Sequence, residues 1–198
     1  MNESLNNSDL YETVEACPWC GNNSTDSDIW CEDEYLFKTV QCKKCLVIYV
    51  KNRLNQNGRN KFYSNYYGDV QQAREDLTNK RREMYRVDHN YIESFINSGK
   101  VLDVGCSDGS FLSLFSHSWE RWGVEFGKEA FVKAKNHFND RILYGEFPEL
   151  IEEFKNISFD LIIFRGLLEH VTDPKRYLET AKLLLKKNWV IFIGSVPN

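Results

Sequence analysis

The sequence lacks long hydrophobic runs. Its apolar stretches, such as 161–164 and 190–193, are far shorter than the roughly 20 residues of a membrane-spanning helix. The first ten residues are polar and lack the basic and then apolar pattern of a secretory signal peptide. These absences argue against a membrane or secreted protein, and we expect a soluble protein of the cytoplasm.

An excess of positive charge is also missing, because 25 Lys and Arg residues face 29 Asp and Glu residues, for a formal net charge of −4. Nucleic-acid backbones are bound by clustered Lys and Arg, so this balance gives no electrostatic reason to expect such a partner. The composition is 42% hydrophobic and 14% aromatic, which excludes a disordered chain. Its 198 residues suffice for one domain and a small appendage.

The six cysteines are few, but their spacing is informative. Four of them form two Cys-x-x-Cys pairs, and the others, Cys31 and Cys106, stand alone. In a chain without a secretory signal, paired spacing indicates metal binding rather than disulfide bonds. Zinc prefers four tetrahedral ligands, which two such turns deliver as chelating pairs. We therefore predict a zinc site formed by Cys17, Cys20, Cys42 and Cys45.

The residues beside these cysteines support the prediction. Gly21 suits a tight turn around a metal, and Lys43 and Lys44 place positive charge next to the thiolates. So short a segment cannot fold on apolar burial alone, so we expect the metal to stabilise it. Reduced structural cysteines and a redox Cys-x-x-Cys motif remain alternatives. Cys31 is interpreted as a small core residue rather than a fifth ligand.

Composition divides the chain into four segments. Residues 1–16 are rich in Asn, Ser and Glu and are expected to form a disordered leader. Residues 17–60 form a small zinc-ribbon-like module that ends in a polar linker from residue 51. Residues 61–99 form a helical connecting segment, and residues 100–198 form the main domain.

Periodicity and short apolar runs predict the secondary structure. One helix is expected between residues 73 and 98, with an apolar face formed by Met84, Val87, Tyr91 and Phe95. The alternating run 35–40 predicts a strand in the zinc module. In the main domain, five strands alternate with amphipathic stretches, at 101–104, 122–125, 142–144, 161–164 and 190–193. This alternation predicts a doubly wound α/β fold with a parallel sheet between helices.

A glycine-containing turn follows the first of these five strands. Gly105 and Gly109 let the backbone turn sharply and let a ligand approach main-chain atoms. Asp103 lies inside the strand end, where a carboxylate would repel a pyrophosphate but suits a ligand that carries an ammonium group. Glu125 ends the next strand, 22 residues later, and can accept hydrogen bonds from both hydroxyls of a ribose. The alternative is an ordinary connection between a strand and a helix.

These motifs resemble, in order, those of the class I S-adenosylmethionine-dependent methyltransferases, over roughly residues 85–198. Residues 103–109 are similar to the glycine-rich first motif, with Ser107 where glycine is more usual. Residues 159–171 are similar to the fourth-strand motif, which usually ends Leu-Glu-His-Val. The resemblance implies a Rossmann-like sheet that binds S-adenosylmethionine through Asp103, Gly105, Cys106, Gly109, Glu125, Glu146, Phe147 and Arg165.

Within that resemblance, Glu146 and Phe147 fall where the family contacts adenine, with Glu146 in place of the commoner Asp. Arg165 falls at the strand end, where the family's backbone lies against the methionine part of the cofactor. A full sheet of the family has seven strands, whereas this sequence stops after the fifth. The domain is therefore interpreted as truncated, and a remnant that binds the cofactor without turnover is one alternative.

The amino-terminal part is similar to the zinc-binding head of bacterial methyltransferases that include sugar C-methyltransferases. This resemblance implies a small-molecule acceptor such as a nucleotide-linked sugar. In those proteins a stretch like the aromatic cluster 62–68 helps to close the active site, and packing between head and body is the alternative role. An RNA methyltransferase with a zinc head is a second alternative, which the acidic balance disfavours.

His170 is the candidate catalytic residue. Methyl transfer needs positioning and, for some acceptors, a base, and an imidazole has a suitable pKa to take a proton. The alternative is that Glu169 and His170 cap or orient the loop. Tyr63, Tyr66 and Tyr67 are weaker candidates for substrate binding.

Overall fold

The computed structural model describes residues 8–32, 37–59, 61–62 and 75–195. The chain divides into two compact units, Met1–Gln72 and Ala73–Asn198, each with its own sheet. Among the described residues, no helix combines the length and the apolar character that a membrane crossing requires.

The first unit contains a four-stranded antiparallel sheet. A 3-10 helix over Ser8–Leu10 precedes strands β1 (Tyr11–Thr13), β2 (Ser27–Glu32), β3 (Lys38–Cys42) and β4 (Ile48–Leu54). The strand order across the sheet is β1-β4-β3-β2, and every neighbouring pair is antiparallel. The second cysteine pair therefore lies at the turn between β3 and β4.

Two polar segments differ from their prediction. The predicted disordered leader, 1–16, includes β1, which pairs with β4 through partners such as Thr13 and Asn52. The linker predicted from residue 51 begins inside β4, where Arg53 Nε donates to Glu12 Oε1 at 2.7 Å. Backbone pairing holds these polar residues in the sheet, and such pairing leaves no alternating apolar pattern in the sequence.

The predicted burial of Cys31 is wrong. Cys31 lies on strand β2 with an exposed side chain, which contradicts its predicted place in the core. Because β2 is the edge strand of the described sheet, its residues Ile29 and Trp30 are also largely exposed. The first two residues of the predicted strand 35–40 lie outside the described part of the chain, and the remainder leads into β3.

The second unit contains a five-stranded parallel sheet. Its strands are β5 (Gly99–Val104), β6 (Trp119–Glu125), β7 (Ile142–Tyr144), β8 (Phe159–Arg165) and β9 (Leu185–Gly194). Their order is β7-β6-β5-β8-β9, and all neighbouring pairs are parallel. This confirms the predicted α/β fold and the five strands in the main domain.

Helices cover the sheet and connect its strands. They are α1 (Glu75–Glu93), α2 (Lys128–Phe138) and α3 (Pro174–Leu184), with 3-10 helices at Leu112–Leu114, Asn139–Arg141 and Phe147–Phe154. Helix α3 starts where its sequence favours a start, because the Asp173 carboxylate accepts the Arg176 N–H at 3.0 Å and Pro174 fills the first turn.

Two apolar cores lie on opposite faces of this sheet. Strand β8 supplies both, since consecutive side chains point to opposite faces and Leu161–Phe164 is fully buried. One core joins Leu161 and Ile163 to α1, α2 and the segment 111–115. The other joins Ile162 and Phe164 to α3 and the 3-10 helix Phe147–Phe154. Both faces of the sheet are therefore covered, as expected for parallel strands.

Helix α1 does not use the face that its sequence predicts. The side chains expected to be buried are 51–68% exposed, and they are Met84, Val87, Tyr91 and Phe95. The face against the core instead carries Tyr85 and Ile92, and Ile96 packs against the same core just after the helix ends. Asp88 and His89 lie on the same inward side, with side chains 22% and 14% exposed. These polar residues interrupt the apolar pattern of the buried face and hide it from a periodicity argument.

Candidate functional site

Four cysteine sulfurs of the first unit lie close together. All lie within 4.8 Å of one another, and they belong to Cys17, Cys20, Cys42 and Cys45. The Sγ atoms of Cys17 and Cys45 are 3.6 Å apart, and those of Cys20 and Cys42 are 3.7 Å apart. A disulfide bond is far shorter, about 2.05 Å. The distances match the edges of a tetrahedron around zinc, since Zn–S bonds of about 2.3 Å place the sulfurs roughly 3.8 Å apart.

The two cysteine pairs sit on equivalent backbone turns. The Gly21 N–H donates to the Cys17 carbonyl at 2.9 Å, and the Leu46 N–H donates to the Cys42 carbonyl at 2.8 Å. Gly21 and Leu46 both have positive φ, 71° and 63°, which turns the chain back around the sulfurs. A hydrogen bond from the Cys45 backbone lowers the pKa of the Cys42 thiol to about 7. The residues present fit a zinc ion.

In the second unit, the turn after β5 depends on two glycines. Gly105 and Gly109 have φ of 79° and 80°, a region that other residues rarely adopt. A Cβ atom on Gly105 would lie 3.0 Å from the Leu167 side chain, and one on Gly109 would lie 2.8 Å from the Phe138 ring. Both positions therefore require glycine, because the backbone has positive φ and because a Cβ atom would contact a neighbouring side chain too closely.

The backbone of this turn is fixed to β6. The N–H groups of Gly105 and Cys106 donate to the Val124 carbonyl at 2.8 and 3.0 Å. The Cys106 side chain is buried, and its sulfur lies 2.7 Å from the position that a Cβ atom on Gly123 would occupy. Burial raises the pKa of the Cys106 thiol well above its usual value. The sulfur of Cys106 thus packs between β5 and β6, where the nearby carboxylates of Asp103 and Glu125 also raise the pKa of its thiol.

Glu125, at the end of β6, holds the turn from the other side. Its Oε2 accepts the Ser107 N–H at 2.8 Å, and its Oε1 accepts the Gly127 N–H at 2.6 Å. Burial raises the pKa of Glu125, and the hydrogen bonds from Gly127 and Ser107 oppose this shift. Each carboxylate oxygen has a second lone pair. The side chain is therefore fixed by the backbone and can still accept donors from a ligand.

Asp103 lies at the end of β5 and is only 3% exposed. Burial raises the pKa of Asp103 to about 7, the Arg165 guanidinium opposes that shift, and Glu125 adds to it. Burial therefore favours the protonated form of this carboxyl group. A positively charged ligand beside it would favour the ionised form.

Arg165, at the end of β8, is held by helix α1. Its Nε donates to Asp88 Oδ2 at 2.7 Å, and its Cζ lies 4.3 Å from the centre of the Tyr85 ring. The Phe111 ring lies 5.5 Å away. Sequence reasoning missed Asp88 and Tyr85, and the only signal was that a carboxylate interrupts the buried face of a helix.

Two further predicted residues make contacts within the protein. Glu146 accepts a hydrogen bond from the Tyr177 hydroxyl on α3, which leaves its second oxygen for other donors. Phe147 is buried, with Phe154, Phe164 and Tyr177 as ring neighbours. The side chain of Phe147 is therefore part of the core, and only its backbone remains available for a ligand.

His170 follows β8 on a turn closed by its N–H, which donates to the Leu167 carbonyl at 2.8 Å. Its side chain is 53% exposed, and Nε2 lies 3.9 Å from Glu169 Oε1. An exposed imidazole beside a carboxylate can exchange protons with a ligand. The alternative candidates Tyr63, Tyr66 and Tyr67 lie outside the described residues.

Known proteins resemble this chain over about half of its length. A ubiquinone biosynthesis O-methyltransferase of Pasteurella multocida is 30% identical over 115 residues, which cover 49% of this chain and 46% of that protein. One from Coxiella burnetii (strain RSA 493 / Nine Mile phase I) is 33% identical over 113 residues, with coverages of 54% and 48%. The chain thus spans about half the length of the curated relatives it matches.

Solved structures show the same fold. The DhpI–SAH complex has a TM-score of 0.52 at 15% identity and covers 68% of this chain and 67% of that chain. The plantazolicin methyltransferase BamL, solved with a triazolic desmethylPZN analog and SAH, has a TM-score of 0.51 at 17% identity, with coverages of 68% and 55%. At these identities the likeness establishes the fold alone.

The family follows from a third comparison. Residues 77–198, more than half of the chain, match the profile of a family described as a methyltransferase domain. The match begins inside α1 and includes all five parallel strands, the glycine turn, Glu125 and Arg165. The chain belongs to the class I S-adenosylmethionine-dependent methyltransferase family.

Proposed function

We propose that this chain binds S-adenosylmethionine at the carboxyl ends of β5, β6 and β8 and transfers its methyl group to a small molecule. One observation carries the proposal: backbone N–H groups hold both oxygens of the Glu125 carboxylate in place at the end of β6. A carboxylate fixed in this way beside a glycine turn is suited to the two hydroxyls of a ribose.

The charges beside Glu125 favour this cofactor over a dinucleotide. Asp103 is buried at the end of β5, and the first N–H groups of the turn donate to the Val124 carbonyl. A pyrophosphate would meet two carboxylates and would find these donors occupied. A ligand with an ammonium group would restore the ionised form of Asp103 instead.

The bound cofactor would supply an electrophilic methyl group, so the protein's residues mainly orient the reactants. Glu125 fixes the ribose, the glycine turn admits the ligand to the backbone, and His170 takes a proton from the acceptor. The exposure of the His170 imidazole and its distance from Glu169 are compatible with this role. Orientation of the loop by the same pair remains the alternative.

The acceptor is proposed to be a small molecule that is methylated on oxygen. The relatives from Pasteurella multocida and Coxiella burnetii are named ubiquinone biosynthesis O-methyltransferases, although the chain spans only about half of each. The sugar nucleotide implied by the cysteine head has no support among these relatives. The alternative RNA acceptor gains no support from a net charge of −4.

Calorimetry with S-adenosylhomocysteine tests the cofactor site. Glu125→Gln should weaken binding by about 1.5–3 kcal/mol, because hydrogen bonds to a charged group are lost. Glu129→Gln is the matched control, since Glu129 lies on the exposed side of α2. Unchanged affinity in Glu125→Gln, with an unchanged melting temperature, would show that the cofactor binds elsewhere.

Turnover tests His170 separately. His170→Ala should leave the affinity for S-adenosylhomocysteine nearly intact and lower turnover roughly 10²–10⁴-fold, as expected for loss of a general base. The exposed His117 offers the control substitution His117→Ala. If both variants turn over equally, the base lies elsewhere, and Tyr63, Tyr66 and Tyr67 are the next residues to replace.

We also propose that the cysteine cluster binds one zinc ion per chain, on the basis of the tetrahedral spacing of its sulfurs. Elemental analysis should find one equivalent of zinc, which Cys42→Ser combined with Cys45→Ser removes. Cys31→Ser should retain the metal, because that cysteine is exposed and lies outside the cluster. A purified wild-type chain without zinc contradicts the proposal.

A further inference from the structure

A surface cavity of about 420 Å³ lies in the second unit, between helix α2 and the residues that follow the glycine turn. Basic and hydroxyl side chains form most of its lining, and they are Ser110, Ser113, Arg121, Lys133 and His137. An adjoining cavity shares Arg121, His137 and Phe138 with the first and adds Arg141. The two cavities form one continuous depression, which we call the basic groove.

Arg121 is the least expected side chain in the basic groove, because it lies on a strand of a sheet that is covered on both faces. It is the third residue of β6 and is half-buried. An arginine withdrawn from water is usually paired with an acid. No carboxylate oxygen of the described residues lies within 4.0 Å of this guanidinium. Its positive charge is therefore not balanced by an ion pair within the described part of the chain.

The guanidinium of Arg121 is nevertheless held in place. Its Nη1 donates to the Phe115 carbonyl at 3.0 Å, and its Cζ lies 5.1 Å from the centre of the Phe138 ring. The hydrogen bond uses one of the five N–H donors of the group. An arginine that is already fixed loses little further freedom when its other donors bind a ligand.

Two carboxylates line the basic groove as well, but each has a partner of its own. Asp108 Oδ1 accepts the Ser110 N–H at 3.0 Å, and Asp140 Oδ1 lies 3.9 Å from Lys135 Nζ. Lysine and arginine side chains of the lining supply three positive charges against these two negative ones. The groove therefore carries a net positive charge even when its histidine is neutral.

We propose that the basic groove binds a small molecule that carries a phosphate monoester. The guanidinium fork matches two phosphate oxygens, and the lysine and the serine hydroxyls can donate to a third. A carboxylate has only two oxygens, so it would use fewer of these donors. The cavity is larger than a phosphate group alone requires and falls in the size range of small-molecule sites, which leaves room for the organic part.

This site differs from the proposed cofactor site. Arg121 precedes Glu125 by four residues on β6, which is about 13 Å along the strand. It pairs with Val101 in the first half of β5, away from the carboxyl ends of the strands. Asp108 and Gly109 are the lining residues that the groove shares with the glycine turn. The inference does not depend on the proposed function.

Inorganic phosphate is the first probe, titrated at an ionic strength held constant with sodium chloride and followed by amide NMR. Saturable shifts should appear at Ser110, Ser113 and His137. Arg121→Met should weaken phosphate binding about 10- to 100-fold, as expected for loss of hydrogen bonds to a charged group. Arg86→Met is the control, because the exposed Arg86 pairs with Glu83 on α1 and should leave the affinity unchanged.

A second variant separates binding from folding, because Arg121→Met also removes two contacts within the unit. Lys133→Gln combined with Arg141→Gln changes two exposed side chains of the groove. It should leave the melting temperature unchanged and weaken phosphate binding about 3- to 10-fold. Unchanged phosphate affinity in both groove variants, or shifts that sodium chloride alone reproduces, would overturn the inference. Displacement of phosphate by saturating S-adenosylhomocysteine would also overturn it, since the anion would then occupy the cofactor site.

Two competitors identify the source of the phosphate group. Ribose 5-phosphate should displace inorganic phosphate, because it presents the monoester on a soluble molecule that fits the cavity. Vesicles of phosphatidylcholine with phosphatidic acid present the same group on a membrane surface and should not displace it. Displacement by the vesicles but not by ribose 5-phosphate would assign the groove to a lipid headgroup and would overturn a soluble ligand.

Discussion

The two units of this chain are stabilised in different ways. Among the described residues of the first unit, the buried apolar ones are Cys17, Val40, Cys42 and Tyr49, and two of these four are also predicted metal ligands. The second unit buries two clusters of large aliphatic and aromatic side chains on either face of its sheet. Apolar burial accounts for the second unit, whereas the described residues of the first unit bury little apolar surface, so we expect the proposed zinc ion to stabilise it.

Removal of the metal should have the largest effect on stability, and it should affect the first unit but not the second. Structural zinc sites of this type contribute on the order of 10 kcal/mol. A strong chelator should therefore unfold the first unit and leave the second unit folded. Hydrogen exchange followed by mass spectrometry should show rapid exchange in β3 and β4, with protection retained in β8.

The same experiment can contradict the proposed difference in stabilisation between the two units. Protection of β3 and β4 after complete loss of zinc would mean that the small core of the first unit suffices without the metal. The double variant Cys42→Ser and Cys45→Ser should reproduce the effect of the chelator, and Cys31→Ser should not.

A cavity in the core of the second unit should have the next largest effect on stability. The Phe164 ring is fully buried, so Phe164→Ala should lower the free energy of unfolding by about 3–5 kcal/mol. Val132→Ala on α2 is the control, because Val132 is 49% exposed and should change stability by no more than about 0.5 kcal/mol. Urea unfolding followed by circular dichroism measures both variants.

The zinc content of the Phe164→Ala chain then tests whether the first unit stays folded when the second unit unfolds. If the first unit is stabilised by its metal and not by the second unit, it should retain zinc at urea concentrations that unfold the variant. Loss of zinc together with the unfolding of β8 would show that the two units fold as one.

The units also differ in what their sequences reveal. In the first unit, the spacing of the cysteines predicts the cluster, because two chelating turns are local features. Its strands β1 and β4 are harder to predict, since polar residues such as Glu12 and Arg53 pair through the backbone and each other. The chemistry of this unit is thus more visible in the sequence than its fold.

In the second unit the reverse holds. Buried parallel strands leave continuous apolar runs, so the sheet and the position of Glu125 follow from the sequence. The contact between Arg165 and Asp88 does not, because 77 positions separate the two residues. Only the folded helix α1 brings that carboxylate to the end of β8, and the polar residue hides the buried face of the helix.

The smallest predicted effect is a pH dependence that belongs to the second unit alone. Burial raises the pKa of Asp103 to about 7 in the free protein. A ligand with an ammonium group favours the carboxylate, so its binding lowers this pKa and releases a proton. Affinity for S-adenosylhomocysteine should therefore rise about tenfold, or roughly 1.4 kcal/mol, between pH 6 and pH 8, and level off above.

Calorimetry in buffers of different ionisation enthalpy measures the proton release directly. Asp103→Asn should bind more weakly and lose most of the pH dependence, whereas zinc content should be the same across this range in both chains. Burial also raises the pKa of Glu125, but backbone hydrogen bonds oppose that shift, so Asp103 should dominate near neutrality. A pH dependence that survives in Asp103→Asn would assign the titration to Glu125 and would remove Asp103 from the ammonium site.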